Sequence, residues 1–457
     1  MNILIIALTL FLCGGVIYLL PEEAPGALAV CALVSIPTLL ITARDHESRT
    51  FLMRMFLIAV MARIIIATII FMAHGEEFFG GDANTYDIFG QSLQQSWHGN
   101  DYHAQKYASF VASGASAWGM LYIVAGVYEL IGPNRFAIQL INASVGASTA
   151  VVVFYTTQTL FNNSRVSKLA AILVAFFPSL ILWSSQALKD AVIILALALA
   201  ILATLRLMEK ITVKYVLILG ACLAALLSLR FYIFYMMAAA VAGSFIMGMK
   251  SLNAQSFMQR FIAVGAIGLA FTWFGVLRYA SVQFDRYINL QMVQMSRMDQ
   301  AQNAASGFQK DVDVGTAEGA LSVIPIGLIY LLFAPFPWQF QTLRQSITLP
   351  EMVIWWFSFP LLVLGLWYSI KHRLRQVSPI VIFTTMLTLA YSLFQGNVGT
   401  AYRQRSQLLV FYFIFVAVGA VILKERAEDK RRQQQLAKQE LKELQAARVM
   451  ARRKAAV

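Results

Sequence analysis

The run FLMRMFLIAVMARIIIATIIFMA, residues Phe51–Ala73, passes directly into HGEEFFGGDANTYD, residues His74–Asp87. The first segment is apolar over a length that crosses a hydrocarbon core of roughly 30 Å. The second is acidic and broken by Gly75, Gly80 and Gly81, so it emerges at a membrane face. Asp82 is thus a carboxylate just past a membrane helix. Its glycine neighbours let the backbone turn tightly, an arrangement suited to a general base acting on an incoming hydroxyl. The competing reading is a solvated loop acid, the ordinary state of external carboxylates, and Glu76, Glu77 and Asp87 present the same choice in weaker form.

The rest of the chain extends this pattern. Hydrophobic residues make up 59% of the 457 and charged ones 13%. The apolar runs are continuous for about 17–25 residues, the length of membrane helices and unlike the period-two alternation of a barrel. The composition predicts an all-α polytopic membrane protein. A net charge of +13 would otherwise point to nucleic acid, but the Lys and Arg residues lie in short inter-helix loops and the C-terminal tail, the positive-inside pattern. Cys13, Cys31 and Cys222 lie inside apolar runs without metal-ligand spacing and read as small buried hydrophobes. Met1–Leu20 lacks a basic leader and a small residue before Cys13, so it reads as a retained helix.

Candidate spans are Ile3–Leu20, Ala27–Ala43, Phe51–Ala73, Arg135–Phe161, Leu169–Ser185, Ala191–Met208, Tyr215–Leu229, Phe231–Met249, Phe261–Leu277, Met352–Ile370, Pro379–Phe394 and Gln407–Leu423, about twelve by length. Arg44, Arg49, Arg54, Arg165, Lys168, Arg206, Lys210, Lys214, Lys250, Arg260, Lys371, Arg373, Arg375 and the tail then share one side. That side is predicted to be cytoplasmic, with both termini on it. The loops 74–134, 279–350 and 396–406 face outward, the periplasm if the cell is bacterial. Ala115–Ile131 and Ala320–Pro337 would invert this order if they crossed, so both are expected as interfacial or re-entrant helices walling an outer cavity, anchored by Trp118, Tyr122, Tyr128, Phe336 and Trp338. Residues 1–423 then form one membrane domain, and 424–457 a basic helical tail. The tail suits anionic lipid or, through Leu436, Leu441 and Leu444, a partner helix.

Cations recur on the outer side. Arg403 and Arg405 follow Gly396-Asn397-Val398-Gly399 and run against the positive-inside trend. Guanidinium groups bind phosphate bidentately, though snorkelling to lipid headgroups is the simpler alternative. Lys189 beside Asp190, Arg230, Arg278 and Arg286 also stand at outer span ends. Together they predict a site for an anionic lipid headgroup, with Lys189–Asp190 alternatively a local ion pair. Tyr86, Glu77 and Trp338 are candidates to touch sugar or acceptor, Trp338 being equally an interface anchor. The five histidines share no metal spacing, and no obligatory metal is expected; a divalent ion between His98 and His103 is the alternative.

Asp82-Ala-Asn-Thr-Tyr86 after a span is followed by Tyr128-Glu-Leu-Ile-Gly132-Pro133-Asn134-Arg135 opening a helix that ends at Leu160-Phe161. Then come Phe177-Pro178-Ser179 and Leu188-Lys189-Asp190. This order resembles the integral-membrane glycosyltransferases of the C-type (GT-C) superfold, especially the bacterial relatives of protein O-mannosyltransferases and the aminoarabinose transferase. The resemblance is ordered over Phe51–Arg230. The two helices before Phe51 are additional to it, and an acidic pair in the first loop is reduced here to one well-placed Asp.

The resemblance implies inverting transfer from a polyprenyl-phosphate-linked sugar to a glycan, glycolipid or protein acceptor at the outer face of the cytoplasmic membrane. The loop acid that acts as base in such enzymes maps onto Asp82. Arg403 and Arg405, with Lys189 and Arg230, would stabilise the departing phosphate. A polysaccharide polymerase or ligase using a diphosphate-linked oligosaccharide is the rival enzymatic reading. A lipid-linked-sugar flippase is the rival from another class, although no internal repeat supports it.

Overall fold

The computed structural model describes residues 3–75, 81–112, 117–247, 289–302, 306–309, 312–339 and 348–455. Glu76, Glu77, Arg278, Arg286 and the expected span Phe261–Leu277 lie outside the described residues. The described chain is helical: α1 (Ile3–Leu19), α2 (Ala24–Ala43), α3 (Arg49–Met72), α4 (Asp82–Trp97), α5 (Asp101–Ala112), α6 (Trp118–Ile131), α7 (Arg135–Phe161), α8 (Ser164–Phe176), α9 (Pro178–Ser184), α10 (Asp190–Glu209), α11 (Val213–Leu229), α12 (Phe231–Met247), α13 (Leu290–Gln302), α14 (Ala317–Phe333), α15 (Leu349–Phe394) and α16 (Val398–Ala455).

Six of the described helices are long and apolar enough to cross a membrane: α2, α3, α7, α10, α15 and α16. The pair α8 and α9, bent by 54°, counts as a seventh if taken as one span. The bend replaces the straight span expected at Leu169–Ser185, and its cause is Pro178, which has no N–H to continue the α8 ladder. The count of about twelve is not reached by this test, because α1, α11 and α12 are 17 residues each and one expected span is not described. Large apolar side chains such as Phe11, Leu33, Ile69, Leu217, Phe357 and Leu389 are exposed, as lipid-facing positions are.

α7 is the central helix, buried over nearly its whole length between α2, α3, α8 and α10. At its N-cap, Asn134 Oδ1 accepts from the Ala137 N–H at 2.9 Å while Nδ2 donates to the Glu23 carbonyl at 2.8 Å. Helical geometry in α15 breaks at Arg373. Before the break, the Trp355 ring lies 6.3 Å from that of Tyr412; after it, Thr388 shares a 2.6 Å hydrogen bond with the Tyr412 hydroxyl. A straight helix would hold these two residues roughly 50 Å apart, so the chain folds back at Arg373 and both halves run beside α16. Gly365 and Gly419 sit where α15 crosses α16, and a Cβ on either would fall about 2 Å from a carbonyl of the other helix.

Side-chain bonds sort the loops into two ends. Asp45 with Tyr155 (3.2 Å), Arg165 with Glu428 (2.8 Å) and Arg373 with the Leu160 carbonyl (2.6 Å) gather the arginine-bearing loops at one end. The loops around Glu23, Asp82, Asp190, Arg230 and Arg403 gather at the other.

Candidate functional site

At that second end Arg403, in the second turn of α16, joins two carboxylates. Its Nη2 and Nε donate to Asp190 Oδ2 at 2.6 and 2.9 Å, and its Nη1 donates to Asp82 Oδ2 at 2.8 Å. Asp190, fully buried at the start of α10, also accepts from Gln407 Nε2 at 3.3 Å and lies 3.7 Å from Arg230 Nη2. Arg230 Nη1 donates to the Tyr391 hydroxyl at 3.3 Å, and that hydroxyl donates to Gln407 Oε1 at 2.7 Å. Lys189 Nζ lies 5.8 Å from the centre of the Tyr86 ring, and the Arg403 guanidinium 5.7 Å from that of Trp183.

Each residue arrives there for a local reason. α4 turns Ala83, Tyr86, Gly90 and Leu93 inward at helical spacing. Gly90 leaves the space that Val124 of α6 occupies, and the Tyr128 hydroxyl donates to Asp87 Oδ1 at 2.5 Å, so α4 is fixed against α6 with Asp82 at its first turn. The turn 185–189 before α10 is held by Asn142, whose Nδ2 reaches the Gln186 and Leu188 carbonyls at 2.7 Å. Beneath it, buried Arg63 donates from Nη1 to the Ala175 carbonyl at 2.8 Å and from Nε to Ser184 Oγ at 2.8 Å. It thereby supports the carbonyl edge opened by the Pro178 bend.

Charge is not balanced. Lys189, Arg230 and Arg403 face Asp82 and Asp190, so the cluster keeps one positive charge over while Lys189 is protonated. Burial, and then the neighbouring Arg230, depress the Lys189 ammonium from the usual lysine range to about 7. Buried ion pairs of this kind cost several kcal/mol in desolvation per ion and are a weak source of stability, so this cluster, buried but for half-exposed Asp82, is a candidate binding site.

Of the residues singled out in the sequence, Asp82, Tyr86, Lys189, Arg230 and Arg403 come together here. Arg405 does not. It is buried on the other side of α16, where its Nη1 donates to the carbonyls of Leu332 and Ala334 at 3.0 Å, at the C-terminus of α14, and its Nη2 lies 3.0 Å from Met352 Sδ. Trp338 is 76% exposed, with its ring stacked on Phe336. His98 pairs with Glu129 at 2.9 Å and His103 Nδ1 faces Ser92 Oγ at 3.4 Å. Among the described residues no group of three metal-ligating side chains lies close together. Sequence reasoning missed the centre of the site, Asp190, by reading it as half of a local pair with Lys189. The available signal was an acid at the first turn of a span on the same face as three cations.

The family model described as dolichyl-phosphate-mannose-protein mannosyltransferase matches residues 116–277 of this chain. The stretch runs from the start of α6 past α12 and includes Lys189, Asp190 and Arg230. No curated protein matches the chain. The structure of the Archaeoglobus fulgidus oligosaccharyltransferase in the apo form is similar at 12% identity with a TM-score of 0.44, over 86% of this chain and 52% of that one. The chain thus spans about half the length of that protein. The resemblance to C-type membrane glycosyltransferases is met by the family match, in a chain of multiple apolar helices.

Proposed function

We propose that the protein is a multi-pass membrane glycosyltransferase that moves a sugar from a polyprenyl-phosphate carrier to an acceptor hydroxyl, with inversion, at the outer face of the cytoplasmic membrane. The observation that carries this reading is the single guanidinium of Arg403 shared by Asp82 and Asp190 beside Lys189 and Arg230, with one positive charge over. A half-exposed carboxylate that can take a proton stands next to cations that can accept a phosphate.

In the proposed transfer Asp82 deprotonates the acceptor hydroxyl, which attacks the anomeric carbon. The bond from that carbon to the phosphate oxygen breaks, and the negative charge growing on the carrier phosphate is met by Lys189, Arg230 and Arg403. Asp190 is a positioning residue that holds the two arginines in register. No obligatory metal is assigned, and transfer that survives exhaustive chelation is the check.

The deciding experiment measures transfer by the purified protein from a panel of polyprenyl-phosphate and polyprenyl-diphosphate sugars to membrane-extracted acceptor, alongside Asp82→Asn. Monophosphate-dependent transfer that disappears in the variant is the expected result. Transfer only from diphosphate-linked oligosaccharide points to a polymerase or ligase, and no transfer from any donor overturns the proposal in favour of a carrier without chemistry.

A further inference from the structure

α4 opens on Asp82 and closes on Trp97, about 22 Å further along the helix at roughly 1.5 Å per residue. At that far end it meets α6 through two kinds of contact. The Trp97 ring lies 6.4 Å from that of Tyr122, which in turn stands edge-on to Trp118 at 5.8 Å. One residue on, His98 Nε2 lies 2.9 Å from Glu129 Oε2, and Gln94 Nε2 donates to the same oxygen at 3.0 Å. The outer groups are open: Trp97 is 48% exposed and Tyr122 47%, and the His98 and Glu129 side chains are 55% and 42% exposed. We infer that this patch is a subsite for a glycan acceptor, seating a sugar ring of a chain whose reacting end lies at Asp82; the inference rests on the transferase reading and names the class of its acceptor.

Two chemistries side by side point to the ligand. Half-exposed rings gain from apolar C–H surface laid against them, which an acyl chain or a sugar ring supplies. The Glu129 carboxylate asks for donors: both of its bonds fall on Oε2, and among the described residues Oε1 takes none. An acyl chain would cover the rings and strand that carboxylate, at a cost in desolvation. A pyranose meets both, with C–H groups on its face and hydroxyl donors around its edge.

The patch is also built in advance. Trp118 braces Tyr122, and Gln94 and His98 fix the Glu129 carboxylate, so little ordering is left for a ligand to impose. The fit of Val124 against Gly90 and the bond from Tyr128 to Asp87 hold α4 on α6, so Asp82 and the patch keep their spacing. An acceptor that touches both is an oligosaccharide and not a single ring.

The test is saturation-transfer NMR on the full-length protein in phosphatidylcholine nanodiscs, which requires no turnover and keeps any lipid-facing surface covered. The probes are cellotetraose, mannotetraose and chitotetraose. At least one is expected to receive saturation, with binding weakened about tenfold in Trp97→Ala and in Glu129→Ala. Glu129, exposed in the last turn of α6, keeps the measurement open if Trp97→Ala does not fold. The inference is overturned by no tetrasaccharide binding, by undiminished binding in a folded variant, or by binding that is seen in detergent and lost in nanodiscs, which would make the patch a membrane anchor. Tetrasaccharide binding here in a protein that transfers no sugar would defeat the transferase reading and leave the subsite standing; transfer without such binding would do the reverse.

Discussion

Asp82 and Asp190 share one guanidinium but differ in surroundings, and the same substitution separates them. Asp82 is half-exposed, so Asp82→Asn is expected to leave thermal stability near that of the intact protein and to lower kcat by about 10²–10⁴, the usual loss on removing a general base. Asp190→Asn instead leaves Arg403 and Arg230 buried without a full counter-charge, a cost of about 3–5 kcal/mol that a thermal melt would register. Lys189 gives the site a pH dependence. Its ammonium is depressed to about 7, so the empty site loses that charge as pH rises through neutrality. Donor KM is therefore expected to climb between about pH 6 and pH 9, and Lys189→Arg to flatten the rise, because a guanidinium stays protonated there. Asp82 and Arg403 were legible because each breaks a local expectation, an acid in a glycine turn and a cation at the end away from the other arginine-bearing loops. Arg405 was read with Arg403 because Gly396–Ser406 was taken as a loop. In the helix that begins at Val398, residues two apart point to nearly opposite sides, so only one of them can face Asp82. Asp190's partners come from Arg230, between α11 and α12, and from Arg403 and Gln407 of α16, and no local pattern encodes a meeting of such distant segments.

At the scale of elements, Arg405 closes the carbonyl end of α14 from within α16, much as a capping residue does. Arg405→Met is expected to lower the unfolding temperature while leaving donor KM of the folded fraction unchanged, whereas Arg403→Met should raise donor KM as well as lower the unfolding temperature, because buried Asp190 loses its main counter-charge. Hydropathy marked most spans because length and apolar content alone define them. It missed the break at Phe177-Pro178 because a seven-residue piece such as α9 stays apolar across the bend. The reversal at Arg373 was legible, since Lys371, Arg373 and Arg375 interrupt an otherwise continuous apolar stretch. α4 and α6 were expected as parts of an outer loop, but their mutual packing through Gly90 and Tyr128 depends on side-chain fit, which periodicity does not carry.

For the whole molecule, the sorting of loops into two ends predicts which positions meet a membrane-impermeant thiol reagent. In a background lacking Cys13, Cys31 and Cys222, Asn100→Cys should label in intact cells and Lys210→Cys only after permeabilisation. The reverse pattern would put the charged cluster on the inner face and remove the proposed acceptor side. α16 is one of the helices that join the two ends. α16 carries Arg403 near its start, is gripped at Gly419 by the close crossing with α15, and continues as a helix to Ala455. Mechanically it is a beam on a fulcrum: at 1.5 Å per residue, about 24 Å separate Gly419 from Arg403 and about 54 Å separate it from Ala455. A sideways load that swings the tail tip by about 2 Å moves Arg403 by about 1 Å the opposite way, a distance that matters to an ion pair made at 2.6 Å.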